Sequence, residues 1–231
     1  PAVFLDSLAR VAVLASRGIA PDVVAGHSLG EYAALVSAGI LRAEAALPLV
    51  VRRGRLMASV AGGMSAVVKL DLPAVQSICD AVPGAALANY NGERQFVLSA
   101  PLDSLDEIGR RASALGGRAI RLDVSGPFHS PAMRPAEEAL APAIEAAAFA
   151  TPRLAFVSSA SGRREPDERA LRQLLLRQIT APVRWTDVLR SLAGLGVTEA
   201  IEVAAGGVLT QLGKRAVDSI RFVTFEEALH G

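Results

Sequence analysis

The segment Gly26-His27-Ser28-Leu29-Gly30-Glu31 constrains the fold of this chain more than any other stretch. It is entered through the apolar run Val23-Val24-Ala25 and followed by Tyr32-Ala33-Ala34-Leu35-Val36. This is the form of a nucleophile elbow, in which a short buried strand ends in Gly-x-Ser-x-Gly and gives way at once to a helix, leaving the serine hydroxyl exposed at the tip of a sharp turn. The two glycines, lacking Cβ, are expected to let strand and helix cross closely. The helix starting near Leu29 is expected to aim its free N–H groups at the serine, where they stabilise an oxyanion. Such a turn requires an inner strand with a helix packed over it, so Ser28 reads as a nucleophile at the carboxyl end of a strand in an α/β protein.

Hydrophobic periodicity extends this reading along the chain. Helix is predicted over Ala2–Arg17, Leu29–Ala38 and Arg42–Ser59, with Gly39 ending the elbow helix. From Met64 the pattern changes: strand (Met64–Leu70), helix (Leu72–Ala81), a strand pair (Ala85–Tyr90 and Gln95–Ser99), helix (Leu102–Leu115) and strand (Arg118–Val124). That βαββαβ order is ferredoxin-like and complete in itself, so 63–125 reads as an inserted subdomain and 1–62 with 126–231 as the α/β core. Beyond it the alternation resumes, with helix over 131–148, strand Leu154–Ser158, helices over 167–178 and 185–194, strand Ala200–Val203, helix Val208–Ser219 and strand Arg221–Phe225. Strands separated by helices imply a parallel sheet covered on both faces.

Composition excludes several function classes. A net charge of +1 provides no global field to recruit nucleic acid or an anionic membrane. No apolar run approaches the roughly 20 residues of a membrane span, and no metal-ligand spacing is evident. The one cysteine, Cys79, cannot form an intrachain disulfide and reads as a small hydrophobe, which fits a cytoplasmic setting. The chain opens at Pro1 in a helical pattern, which implies an upstream portion.

A serine hydroxyl needs a base to take its proton, and the chain has three histidines. His27 adjoins the nucleophile, but successive residues of an elbow diverge, so it reads as a packed, hydrogen-bonded neighbour. His230 is penultimate and expected to be frayed. His129 remains, in the Gly/Pro-bounded turn Gly126-Pro127-Phe128-His129-Ser130-Pro131 where the insertion returns to the core. A cleft is expected at that junction.

Five motifs, in order, now carry a resemblance: Gly26-His27-Ser28-Leu29-Gly30-Glu31, Arg53-Gly54-x-x-Met57, Asn89-Tyr90-Asn91, Gly126-Pro127-Phe128-His129-Ser130 and Gln178-x-x-x-Pro182-Val183-x-Trp185. In these the chain resembles the malonyl-CoA:acyl carrier protein transacylases and the acyltransferase domains of fatty acid and polyketide synthases. The resemblance implies an α/β-hydrolase-like core with a ferredoxin-like insertion. It implies malonyl transfer from malonyl-CoA to the phosphopantetheine thiol of an acyl carrier protein, with no metal or redox cofactor. Ser28 would accept the acyl group, His129 would be its base, the backbone carbonyl of Gln178 would orient the imidazole, and Leu29 would supply an oxyanion N–H. Arg53 would bind the substrate carboxylate; read alone, it belongs to a basic run on a helix face. Asn89 would line the cleft, though an Asn-x-Asn-Gly turn explains it too. Phe128, directly before the histidine, goes with malonyl over methylmalonyl in the polyketide-type enzymes, or else plugs the seam between subdomains.

The chain also departs from the pattern. The family's amino-terminal strand and Gly-Gln-Gly loop, which carries a second oxyanion N–H, lie upstream of Pro1. The segment from Met57 to Met64 is short and lacks the common glutamine, and Ala204-Ala205-Gly206-Gly207 stands where Gly-Pro-Gly is usual. Two alternatives therefore stay open: an α/β-hydrolase-type thioesterase, which would draw its base from His230, and a catalytically impaired fragment that binds the carrier protein.

Overall fold

The computed structural model describes residues 1–230. Helix α1 (Ala2–Ser16) leads into strand β1 (Val23–Ala25), and the elbow turns the chain into α2 (Gly30–Ser37) and then α3 (Ala43–Ala58). Gly39 follows α2 at φ +72°, where its N–H caps the Val36 carbonyl. A side chain there would be strained and would also meet the Arg153 guanidinium, at 2.5 Å from an added Cβ. The predicted stop is therefore where the backbone reverses.

Next come β2 (Gly63–Val68), α4 (Leu72–Ala81), β3 (Ala86–Gly92), β4 (Gln95–Ala100), α5 (Leu105–Ala114) and β5 (Arg118–Arg121). They build an antiparallel sheet of order β3-β4-β2-β5, the ferredoxin-like arrangement. Side chains of β4 alternate between two buried faces. Phe96, Leu98 and Ala100 meet Val75, Ile78, Leu105 and Ile108 of the helices, whereas Val97 joins Met64, Ala88 and Phe128. This sheet is thus covered by its own helices on one side and by the 126–130 turn on the other.

The chain continues through α6 (Arg134–Ala146), β6 (Ala155–Val157), α7 (Glu168–Arg177), α8 (Trp185–Gly194), β7 (Glu199–Glu202), α9 (Val208–Ala216), β8 (Arg221–Thr224) and α10 (Phe225–His230). Strand β1 pairs in parallel with β6, and β7 with β8, so the core strands lie as two parallel pairs. Helices α2, α3, α6 and α7 pack around Phe4, Tyr32, Leu35, Leu140, Ile144 and Phe156, each almost fully buried. Burying each such side chain contributes about 1.5–3 kcal/mol. No helix among the described residues is long and apolar enough to cross a membrane.

Several boundaries differ from expectation for local reasons. Strand β5 ends at Arg121, not Val124, because the Val124 N–H turns back onto the Leu122 carbonyl. Helix 102–115 starts with a 3-10 turn (Leu102–Ser104), and 131–148 with another (Pro131–Met133). The Asn-x-Asn-Gly stretch is strand rather than turn. Its edge is claimed from the core: Tyr90 N–H donates to the Val183 carbonyl at 2.8 Å, and Val183 N–H to the Ala88 carbonyl at 2.8 Å. His230 is the last residue of α10.

Candidate active site

Ser28 has φ +52°, a left-handed conformation rare for a residue with a Cβ and costing on the order of 1–2 kcal/mol. Gly26 makes it affordable: a Cβ there would sit 2.1 Å from the Gly30 carbonyl carbon and 2.3 Å from the Glu31 nitrogen. Gly30 itself has open space around an added Cβ, so only the first motif glycine is required by close approach. The helix start also differs from expectation. The N–H groups of Gly30, Glu31 and Tyr32 are used by the carbonyls of His27, Ser28 and Leu29, which leaves the Leu29 N–H, directly before the helix, without a backbone acceptor.

His129 reaches Ser28 from the 126–130 turn and is likewise left-handed, at φ +56°. Its Nδ1 lies 2.9 Å from the Gln178 carbonyl and 3.1 Å from the Ala181 carbonyl. Both are pure acceptors, so Nδ1 carries the proton and Nε2 is left to accept. Nε2 stands 2.7 Å from Ser28 Oγ. The pair therefore has a hydroxyl that donates and an imidazole that accepts, with backbone carbonyls where a triad would place a carboxylate.

Burial pulls the His129 pKa down to about 3, the Arg53 guanidinium and His27 push the same way, and the two carbonyl hydrogen bonds oppose them. The sign for stability follows. The unfolded chain takes a proton at this residue below the ordinary 6.5, and the folded chain does so only near 3. The stabilisation from the neutral, buried imidazole is complete above 6.5 and lost as pH falls through that window, at up to about 1.4 kcal/mol per pH unit. Urea midpoints measured from pH 7 to pH 4 should fall less steeply for His129→Ala than for the parent; parallel slopes would contradict the assignment.

Arg53 lies on α3, not on a solvated face: it is 5% exposed. Its Nη2 donates to Ser28 Oγ at 2.9 Å and its Nε to the Gln178 side-chain oxygen at 3.2 Å. No carboxylate lies within ion-pair distance of it among the described residues. Burial lowers its pKa, with Tyr32 and Glu31 acting in the opposite direction. A buried guanidinium with no carboxylate in direct contact, beside a nucleophile, has the chemistry to take an anionic group.

The remaining expected residues are less tightly joined to Ser28. Asn89 is buried and its Oδ1 has no partner, while its neighbour Asn91 is 3.1 Å from His27 Nε2 through Oδ1. His27 also meets the Trp185 ring edge-on at 5.5 Å, so it is the packed neighbour the sequence predicts. Phe128 touches the apolar clusters of both the core and the small sheet, and its carbonyl accepts from Ser99 Oγ. His129, not His230, is the histidine on Ser28.

Two groups escaped the sequence reading. Glu31, 3% exposed, and the Gln178 side chain, which belongs to a residue 1% exposed, form a hydrogen-bonded hub behind the nucleophile. The signal for Glu31 was an acid directly preceding the apolar run Tyr32–Val36. Nothing in the sequence pointed to the amide.

The acyl transferase domain family model matches residues 1–229. The malonyl CoA-acyl carrier protein transacylase of Salmonella typhimurium is 36% identical over 229 residues, covering 95% of this chain and 74% of that protein. Among solved structures, FabD from Acinetobacter baumannii matches with a TM-score of 0.94 at 33% identity, over 99% of this chain and 78% of that one. A type II polyketide synthase malonyl-transacylase, solved in complex with its acyl-carrier protein, matches with a TM-score of 0.91 at 34% identity, over 96% of this chain and 74% of that one.

Proposed function

The chain belongs to the acyl transferase domain family, and from that premise we propose that it carries a malonyl group from malonyl-CoA to the phosphopantetheine thiol of an acyl carrier protein, in fatty acid or polyketide biosynthesis. One observation carries the reading. A single oxygen, Ser28 Oγ, is held by a base at 2.7 Å and, at 2.9 Å, by a buried guanidinium that no carboxylate contacts directly. A hydrolase for neutral acyl groups has no use for the second contact.

In the proposed reaction the Ser28 hydroxyl gives its proton to His129 Nε2 as Oγ attacks the thioester carbonyl. The Leu29 N–H donates to the oxyanion that forms. The imidazolium then protonates the departing CoA thiolate, leaving a malonyl-serine ester. In the second half the carrier thiol gives its proton to His129, attacks the ester, and Ser28 leaves with that proton restored. Thioester, ester and thioester exchange in turn, so neither step calls on a metal or redox cofactor. Arg53 would hold the malonyl carboxylate with the N–H groups not committed to Gln178 and Ser28. Asn89 is proposed to line the cleft and Phe128 to narrow it beside the acyl group. The proposed compartment is the cytoplasm, which the unpaired Cys79 supports.

Supplying holo acyl carrier protein with malonyl-CoA tests the reading through its products. Malonyl-carrier should form far faster than free malonate; malonate as the main product, with or without carrier, would establish a thioesterase instead. Arg53→Ala should lower malonyl transfer by roughly thirtyfold or more, the equivalent of 2 kcal/mol or above for a desolvated charge-assisted pair. Acetyl transfer, which presents no carboxylate, should fall much less. An equal loss on the two thioesters would make Arg53 a structural residue.

A further inference from the structure

Glu31 has no part in the chemistry above, yet it is the most heavily hydrogen-bonded side chain near it. One carboxylate oxygen accepts from Ser158 Oγ at 2.7 Å and from the Ser159 N–H at 3.2 Å. The other accepts from Ser159 Oγ at 2.7 Å and from Gln178 Nε2 at 2.6 Å. Of these four donors the Ser159 N–H cannot accept at all, and the Gln178 amide is held with its N–H toward Glu31 by its contacts to the Ser28 carbonyl and Arg53 Nε; the two sit on opposite oxygens. A neutral amide at position 31 would leave its NH2 facing one of them. The site is therefore built for a carboxylate.

The Gln178 amide passes this demand onward. Its Nε2 spends one proton on Glu31 and the other on the Ser28 carbonyl, 3.0 Å away, which fixes its Oε1 toward Arg53 Nε. Turned over, the amide would set oxygen against two oxygens and N–H against the guanidinium N–H. Ser28's carbonyl also accepts the Glu31 backbone N–H at 3.1 Å, so the elbow is tied to Glu31 directly and again through Gln178.

We propose that Glu31 is a positioning residue for carboxylate recognition: through the Gln178 amide it forms a relayed ion pair that orients the Arg53 guanidinium without occupying its outer N–H groups. The inference rests on the reading of Arg53 as the receptor for the acyl carboxylate. A carboxylate in direct contact with Arg53 would compete with the substrate for the same donors. One amide further back, it supplies counter-charge and alignment and leaves the receptor open. The Coulombic pull of Glu31 on the buried guanidinium is consistent with this arrangement.

The test is the ratio of kcat/KM for malonyl-CoA to that for acetyl-CoA, a quantity independent of how much of each preparation is folded. It is measured in the parent, Glu31→Gln, Arg53→Ala and the double variant. Glu31→Gln should lower the ratio by about tenfold or more, through malonyl binding, and should leave it unchanged when added to Arg53→Ala. A fall in both substrates with the ratio preserved, or an effect on the ratio that adds fully to that of Arg53→Ala, would overturn the proposal. If Arg53→Ala itself leaves the ratio untouched, the reading of Arg53 fails first, and visibly so. Should Glu31→Gln not fold, Gln178→Met decides the matter, because it cuts the relay while keeping the backbone carbonyl on His129. The same loss of ratio supports the relay, and a parental ratio refutes it.

Discussion

Ser28→Ala is expected to abolish acyl-enzyme formation and to lower turnover by a factor on the order of 10⁵ or more, because it removes the nucleophile of a covalent mechanism. The change deletes one oxygen and keeps the Cβ, so the strained φ of +52° is neither worsened nor relieved. Gly26, which makes the turn sterically available, is untouched. What goes is the atom on which His129 Nε2 and Arg53 Nη2 converge. Neither group can substitute for it, because one is a base without a proton to take and the other only donates. Rapid mixing with malonyl-CoA should therefore show no burst of free CoA, while thermal unfolding stays close to the parent's. A burst of normal size in this variant would place the nucleophile elsewhere.

His129→Ala should slow acylation and transfer together, each by about 10²- to 10⁴-fold, the usual worth of a positioned general base. One imidazole serves both halves of the reaction, since the carrier thiol occupies the place of the departed CoA thiol and surrenders its proton to the same Nε2. The losses in the two half-reactions should thus be similar while thermal unfolding stays close to the parent's, the combination that separates a shared base from a residue that only supports the fold. Activity remains above zero because Arg53 still donates to Ser28 Oγ and Leu29 still offers an N–H at the turn. Single-turnover rates for serine acylation and for discharge onto holo carrier protein give the two numbers separately. Acylation at the parental rate would return His129 to the role of a packed loop residue.

How much of this was legible beforehand depends on which forces set each feature. The elbow could be read because its determinants are local: an apolar strand, a glycine pressed against the helix backbone, and the helix itself. His129 could be found by position, being the histidine at the junction between the inserted sheet and the core. The Asn-x-Asn-Gly stretch suggests a turn by its residue types, but its strand state comes from hydrogen bonds to Val183, far away in sequence. The resemblance assigns Arg53 to the substrate carboxylate, but taken alone it reads as part of a solvated basic run, and only the packing of α3 against Tyr32 and Gln178 buries it. The Glu31 hub was invisible for the same reason. Its partners come from the ends of β6 and α7, and no spacing along the chain encodes their meeting. Gly30 shows the opposite error, a motif position credited with a steric duty that the open space around it does not require.

The claim on which the account turns is a malonyl ester on Ser28. Intact-mass measurement of the protein after brief exposure to malonyl-CoA and removal of excess thioester, followed by peptide mapping, reads it directly. The prediction is one malonyl group per chain, on the peptide containing Ser28, discharged rapidly onto holo acyl carrier protein and only slowly into water. No adduct, an adduct on another residue, or discharge to water as fast as to the carrier thiol would contradict it.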